Sequence, residues 1–236
     1  RRLGALPGLV GVVERRVPFG VVGVIAPWNY PLTLAISDAI PAMMAGNCVV
    51  VKPDVQTTLS ALWIADLLQR AGLPPGVFSV VAGEGSVVGP LVIDRSDYVM
   101  FTGSTAVGRR VAARCGELLI GCSMELGGKN AMIVRGDADI AAAAALACRA
   151  SFSNSGQLCI SMERIYVDQS IVDEFLDAFA RRTQALRMSA QIGWGADVGS
   201  LISQRQRDRV AAHVENAVTL GAKVIVGGEP RPDIGP

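Results

Sequence analysis

Short β-branched runs alternate with helical patterns, and this alternation constrains the fold more than any other feature of the chain. GVVGVIAP (20–27), NCVVVKP (47–53), GVFSVVAG (76–83) and DYVMFTG (97–103) read as strands. Most are apolar on both faces, as buried parallel strands are. Between them, TTLSALWIADLLQRAGLPPG (57–76) reads as a helix with a glycine stop and prolines beyond. STAVGRRVAARCG (104–116) reads as another, with Ser104 or Thr105 available as its cap. Strand, helix, strand, helix implies a parallel sheet covered on both sides.

The pattern restarts after Glu125. NAMIVRG (130–136), ERIYVD (163–168) and AKVIVGG (222–228) read as strands; helices are expected over 137–152, 170–186 and 203–221. The boundary between two α/β units falls in ELGGKN (125–130), giving expected domains 18–126 and 127–236. GALPGLVGVVERRVPFG (4–20) resembles a projecting hairpin punctuated by glycine and proline.

A length of 236 residues suits one large or two moderate domains. Only 18% of residues are charged and the formal net charge is +1, so neither a nucleic-acid nor a membrane surface is expected. No apolar run approaches the roughly 18 residues of a membrane span. RRLGALPGLVG lacks the pattern of a signal peptide and an initiator methionine, and EPRPDIGP is loop-like, so a fragment of a longer protein is expected. Five cysteines, no CxxC and one histidine, His213, speak against a disulfide framework or a metal site. A reduced, cytoplasmic protein follows.

Several segments have chemical potential. GEGSVVG (83–89) is one residue longer than a dinucleotide fingerprint and reads as a strand-to-helix turn. GSTAVG (103–108) is not a P-loop, because Arg109 and Arg110 follow it. It does join a buried strand to a helix start, where free N–H groups and the dipole favour an anion; a plain turn is the alternative. In PWNYP (27–31), Asn29 lies between two prolines, either as a fixed amide donor or as the cap of a rigid turn. Glu125 ends a strand before two glycines, and Lys129 is a candidate partner for it.

Cysteines sort by their surroundings. Cys48, Cys122 and Cys148 lie in strand or helix patterns and read as small core fillers, and Cys115 ends a helix. Cys159 alone sits among turn formers, in FSNSGQLCIS. It is the candidate nucleophile, with a structural thiol as the alternative.

Together PWNYP, VVVKPD, FTGSTAVG, ELGGKN and FSNSGQLC resemble the aldehyde dehydrogenase superfamily, in order and in spacing. Glu125 precedes Cys159 by 34 residues, and Asn29 precedes Lys52 by 23. The resemblance covers essentially the whole chain. GQLCISMERIYV, VGSLIS and GGEPRPDIGP are most similar to a bacterial NADP-dependent succinate-semialdehyde dehydrogenase branch.

The resemblance implies a Rossmann-like cofactor domain and a second, incomplete α/β catalytic domain, with 1–17 part of oligomerisation strands. It implies oxidation of an aldehyde, succinate semialdehyde first among candidates, with NADP or NAD. Cys159 would attack the carbonyl to form a thiohemiacetal and then a thioester. The Asn29 amide and the Cys159 N–H would hold the oxyanion, and Glu125 would activate water. Trp28, Lys52, Val55, Gly103, Ser104 and Leu126 would contact the cofactor. Val55 stands where NAD-preferring relatives often have a glutamate, so NADP is expected to be preferred. Ser153 stands where many enzymes of this branch have a carboxylate-binding arginine. No metal is expected, and a homodimer or homotetramer is. The competing readings are a cofactor-independent thiol esterase and a non-catalytic cofactor-binding relative.

Overall fold

A computed structural model describes residues 2, 3 and 11–234. The chain divides into two compact units, residues 1–126 and 127–236. At the N-terminus β1 (Arg2–Leu3) pairs antiparallel with β2 (Gly11–Val12). Residues 4–10 of the expected hairpin, and residue 1 with them, lie outside the described residues.

The first unit is built on a five-stranded parallel sheet. Its strands are β3 (Val21–Ile25), β4 (Cys48–Lys52), β5 (Phe78–Val80), β6 (Tyr98–Thr102) and β7 (Gly121–Glu125), in the order β5-β4-β3-β6-β7. Both faces are covered, and β6 shows it by alternation. Val99 and Phe101 pack with α4 (Gly85–Ile93) and α5 (Thr105–Leu118). Tyr98 and Met100 pack on the opposite cluster, which holds Ala35, Ala39, Ala61 and Ile64. Those four come from α1 (Pro31–Ile36), α2 (Ala39–Met44) and α3 (Thr58–Arg70). Burying a valine or isoleucine in such a cluster contributes about 1.5–3 kcal/mol relative to exposure.

Capping chemistry sets the start of α5. The Ser104 hydroxyl accepts the Val107 N–H at 3.4 Å. Gly108 then lets the helix approach the sheet. A Cβ there would come within 2.5 Å of a Leu126 methyl and 3.3 Å of the Phe101 ring. No element is expected from the sequence over 31–44, yet α1 and α2 lie there. Pro31 at the first turn of α1 is the signal that went unused.

The second unit pairs β8 (Asn130–Val134) with β9 (Met162–Val167) in parallel. Its helices are α6 (Ile140–Phe152), α7 (Val172–Gln184) and α8 (Gln204–Thr219). Asp139 caps α6 by accepting the Ala142 N–H at 3.0 Å. The buried face of α6 is small (Ala143, Ala144, Ala147), which lets the Phe175 and Phe179 rings of α7 pack close by. Asp173 and Glu174 in the first turn of α7, with Arg181 and Arg182 in its last, match the helix dipole.

Two expectations fail. Residues 222–228 form no strand: among the described residues nothing pairs with them, and Val224 and Ile225 stay 49% and 60% exposed. β-branched composition cannot make a strand without a neighbouring ladder. Cys48 is exposed, not a core filler, because its strand begins there and the buried face starts at Val49.

Candidate active site

The carboxyl ends of parallel strands gather most of the residues singled out in the first unit. Strand order reverses between β3 and β6, the place where open α/β sheets bind ligands. Trp28 and Asn29 follow β3, and Gly103 and Ser104 follow β6. Lys52 ends β4 in register with Ile25, and Glu125 ends β7 in register with Thr102. Two further bonds extend the pairing past the strand ends, Ala26 N–H to the Lys52 carbonyl and Gly103 N–H to the Glu125 carbonyl, each 3.0 Å.

Lys52 is 4% exposed, unusual for a lysine. Burial lowers its pKa, while Asp54 and Glu84 pull the other way. Its ammonium lies 3.8 Å from where a Cβ on Gly85 would sit, beside the start of α4. Val55 is 42% exposed on the 3-10 turn Val55–Thr57, whose Asp54 cap accepts the Gln56 N–H. Leu126 is partly buried and packs its side chain toward Phe101 and Gly108. One acid escaped the sequence reading. Asp38, before α2, is held above the ordinary carboxylate range by burial first and by the charge of Glu125 second. Nothing in its sequence neighbourhood signals that proximity.

Cys159 lies in the second unit and is exposed. After α6 the backbone turns left-handed at three successive residues, Asn154 (φ 51°), Ser155 (φ 58°) and Gly156 (φ 74°). Only the last is a glycine, so this turn holds strain of the kind found at functional sites. Side chains fix it. Ser155 Oγ donates to the Gly199 carbonyl at 2.9 Å, and the Gln157 carbonyl oxygen of the amide accepts the Ile202 N–H at 3.0 Å. Among the described residues no acceptor meets the Cys159 N–H, which leaves it available beside its own sulfur. Ser153 donates to the Arg149 carbonyl at 2.6 Å, tying it back to α6.

Other candidates resolve differently. Cys115 is fully buried, and its thiol is pushed up to about 11 by burial and by Cys122, the opposite of activation. Lys129, a candidate partner for Glu125, pairs with Glu163. His213 is exposed on α8. A groove of about 640 Å³ in the second unit is lined by residues such as Phe152, Val210 and Ile234, and Cys159 is not among them. Among the described residues no cluster could hold a metal ion, and no helix is long and apolar enough to cross a membrane.

Comparison with known proteins gives a match to the model of the Aldehyde dehydrogenase family over residues 8–235. The chain belongs to the aldehyde dehydrogenase family. A relative from Mycolicibacterium smegmatis, named "Putative succinate-semialdehyde dehydrogenase [NADP(+)]", is 56% identical over 99% of this chain and 45% of its own length. The crystal structure of a Mycobacterium tuberculosis aldehyde dehydrogenase complexed with NAD+ is 38% identical with a TM-score of 0.88, covering 92% of this chain and 45% of that one. The E. coli NADP dependent enzyme gives 36% identity and a TM-score of 0.90, covering 92% and 46%. This aldehyde dehydrogenase chain therefore spans less than half the length of the curated relatives it matches.

Proposed function

We propose that the protein carrying this chain oxidises an aldehyde to a carboxylic acid with a nicotinamide dinucleotide, through a covalent bond to Cys159. The observation that carries the reading is an exposed thiol on a strained turn, with its backbone N–H unspent. Such a residue can attack a carbonyl and steady the resulting oxyanion with the same peptide unit. Asn29 is the second oxyanion donor. Glu125 is the base that draws a proton from the water releasing the acid, and from the thiol before attack.

The residues present fit a dinucleotide. Lys52 offers a buried cation at the carboxyl edge, and the start of α5 presents N–H groups suited to pyrophosphate. Trp28, Gly103, Ser104 and the Leu126 backbone complete that site, although the Ser104 hydroxyl is already engaged by Val107. When bound, the dinucleotide supplies the acceptor for the hydrogen and electron pair that the aldehyde carbon loses. NADP is the favoured form, from Val55 and from the name of the M. smegmatis relative.

That name also makes succinate semialdehyde the leading substrate. Ser153, folded back on α6, offers no cation for the carboxylate, which must be read elsewhere. Assembly as a homodimer or homotetramer and a cytoplasmic setting belong to the same proposal. The test is a panel of aldehydes, succinate semialdehyde included, assayed with NADP and NAD on the longest natural polypeptide that carries this chain. Aldehyde-dependent NADPH formation with one acid per reduced cofactor is expected. Thiol-dependent ester cleavage with no aldehyde-dependent reduction would overturn it.

A further inference from the structure

Asn130 opens β8, five residues after Glu125, and is half-buried. Its Nδ2 donates to the Cys159 carbonyl at 2.6 Å and to the Ser161 carbonyl at 3.0 Å. One amide thus spends both N–H groups across the turn that bears the thiol. Ser161 is 4% exposed, and its hydroxyl lies 3.2 Å from the Ala150 carbonyl and 3.0 Å from that of Ser151. The exposed thiol is thereby moored to a buried floor.

The ladder breaks at this place. Asn130 is in register with Met162, but Ala131 is in register with Arg164, so Glu163 is an extra residue. Bulges of this kind disturb local pairing and are common beside functional sites. Alongside the break, the Arg164 guanidinium bonds the Lys129 carbonyl at 3.1 and 2.7 Å. Residues 131–134 keep their regular pairing with 164–167, so β8 and β9 stay together without the Asn130 side chain.

We propose that Asn130 is a positioning residue for the reaction: by fixing the Cys159 peptide unit, it keeps sulfur and N–H aimed at one carbonyl. The proposal rests on the reading of Cys159 as the nucleophile. Displacing a reacting group by about 1 Å costs on the order of 100-fold in rate. Asn130→Asp keeps the shape, removes both donors and sets an oxygen against two carbonyls. Asn130→Ser, with one donor, is the milder variant should the first fail to fold.

Both are assayed in the longest natural polypeptide that carries this chain. For Asn130→Asp, kcat is expected to fall about 10- to 100-fold with cofactor KM nearly unchanged, and Asn130→Ser to fall between. Iodoacetamide alkylation of Cys159, read by peptide mass spectrometry against exposed Cys48, is expected to slow in the same order. Wild-type kcat and a wild-type Cys159-to-Cys48 ratio in the folded variants would overturn the proposal, whatever happens to Tm. Cys159→Ser run in parallel separates the two failures. Full activity there refutes the nucleophile, whereas an inactive Cys159→Ser beside unaltered Asn130 variants refutes the role of Asn130 alone.

Discussion

The carboxyl edge of the five-stranded sheet and the Cys159 turn hold their functional candidates by opposite means. At the edge, backbone bonds do the placing: Lys52 and Glu125 end strands, and Trp28 and Asn29 follow one, where the ladder continues to the last residue and beyond. At the turn, side chains do it, through Asn130, Ser155, Gln157 and Ser161, against a left-handed backbone. A ladder-built site tolerates exchange of the residues it displays, because the backbone does not depend on them. A turn held by side chains loses its geometry when one is removed. On the proposed function, the edge would hold the cofactor and display two supporting groups, Asn29 and Glu125, while the turn would carry the sulfur that bonds the substrate.

The largest test of that division is Cys159→Ser. Loss of a nucleophile costs several powers of ten, and a fall in aldehyde oxidation of about 10⁴-fold or more is expected. Cofactor affinity, followed by quenching of protein fluorescence on NADPH addition, should be unchanged. Should Cys159→Ser weaken cofactor binding as much as turnover, the two regions are not separate in role.

Asn29→Ala sharpens the comparison from the other side. It removes the proposed second oxyanion donor, displayed by the ladder-built edge, so kcat should drop by about 10²- to 10³-fold. The fold of the edge should survive, because the strands beneath Asn29 are joined through their backbone ladders. Equal Tm and equal cofactor KM, measured by calorimetry and steady-state kinetics, are the expected companions. A collapse in Tm would make Asn29 part of the scaffold.

What the sequence discloses follows the same line. The edge was legible because a buried parallel strand leaves a continuous apolar run, and the residue after it falls at the ligand-binding end by topology. VVVKPD and FTGSTAVG carry that signal openly, and the strands they end bury Val49, Val51, Val99 and Phe101. Cys159 stood out for a weaker reason, its polar, turn-forming neighbours. Its supports did not. Asn130 looked like the first residue of an ordinary strand, and the bulge at Glu163 has no mark in composition. Asp38 likewise depends on where α2 begins relative to β7, which pairwise spacing does not encode. AKVIVGG fails for the converse reason: strand composition was present and a partner was not.

The smallest expected effect concerns Val55, which on the proposed function would face one end of the cofactor. A carboxylate 4 Å from the 2′-phosphate of NADP would repel it by about 4 kcal/mol per charge at an effective dielectric near 20. Val55 is 42% exposed, so solvent and salt screen a good part of that. Val55→Glu should then shift the NADP-to-NAD ratio of kcat/KM toward NAD by about 10-fold, which is about 1.4 kcal/mol. Raising the salt concentration should shrink the shift, since the repulsion is electrostatic. The change should fall on KM and leave kcat with saturating cofactor alone, because on the proposed function Val55 would touch the cofactor and not the reacting groups. A fall in kcat with no movement in the ratio would place Val55 outside the cofactor's reach and remove the basis for expecting NADP.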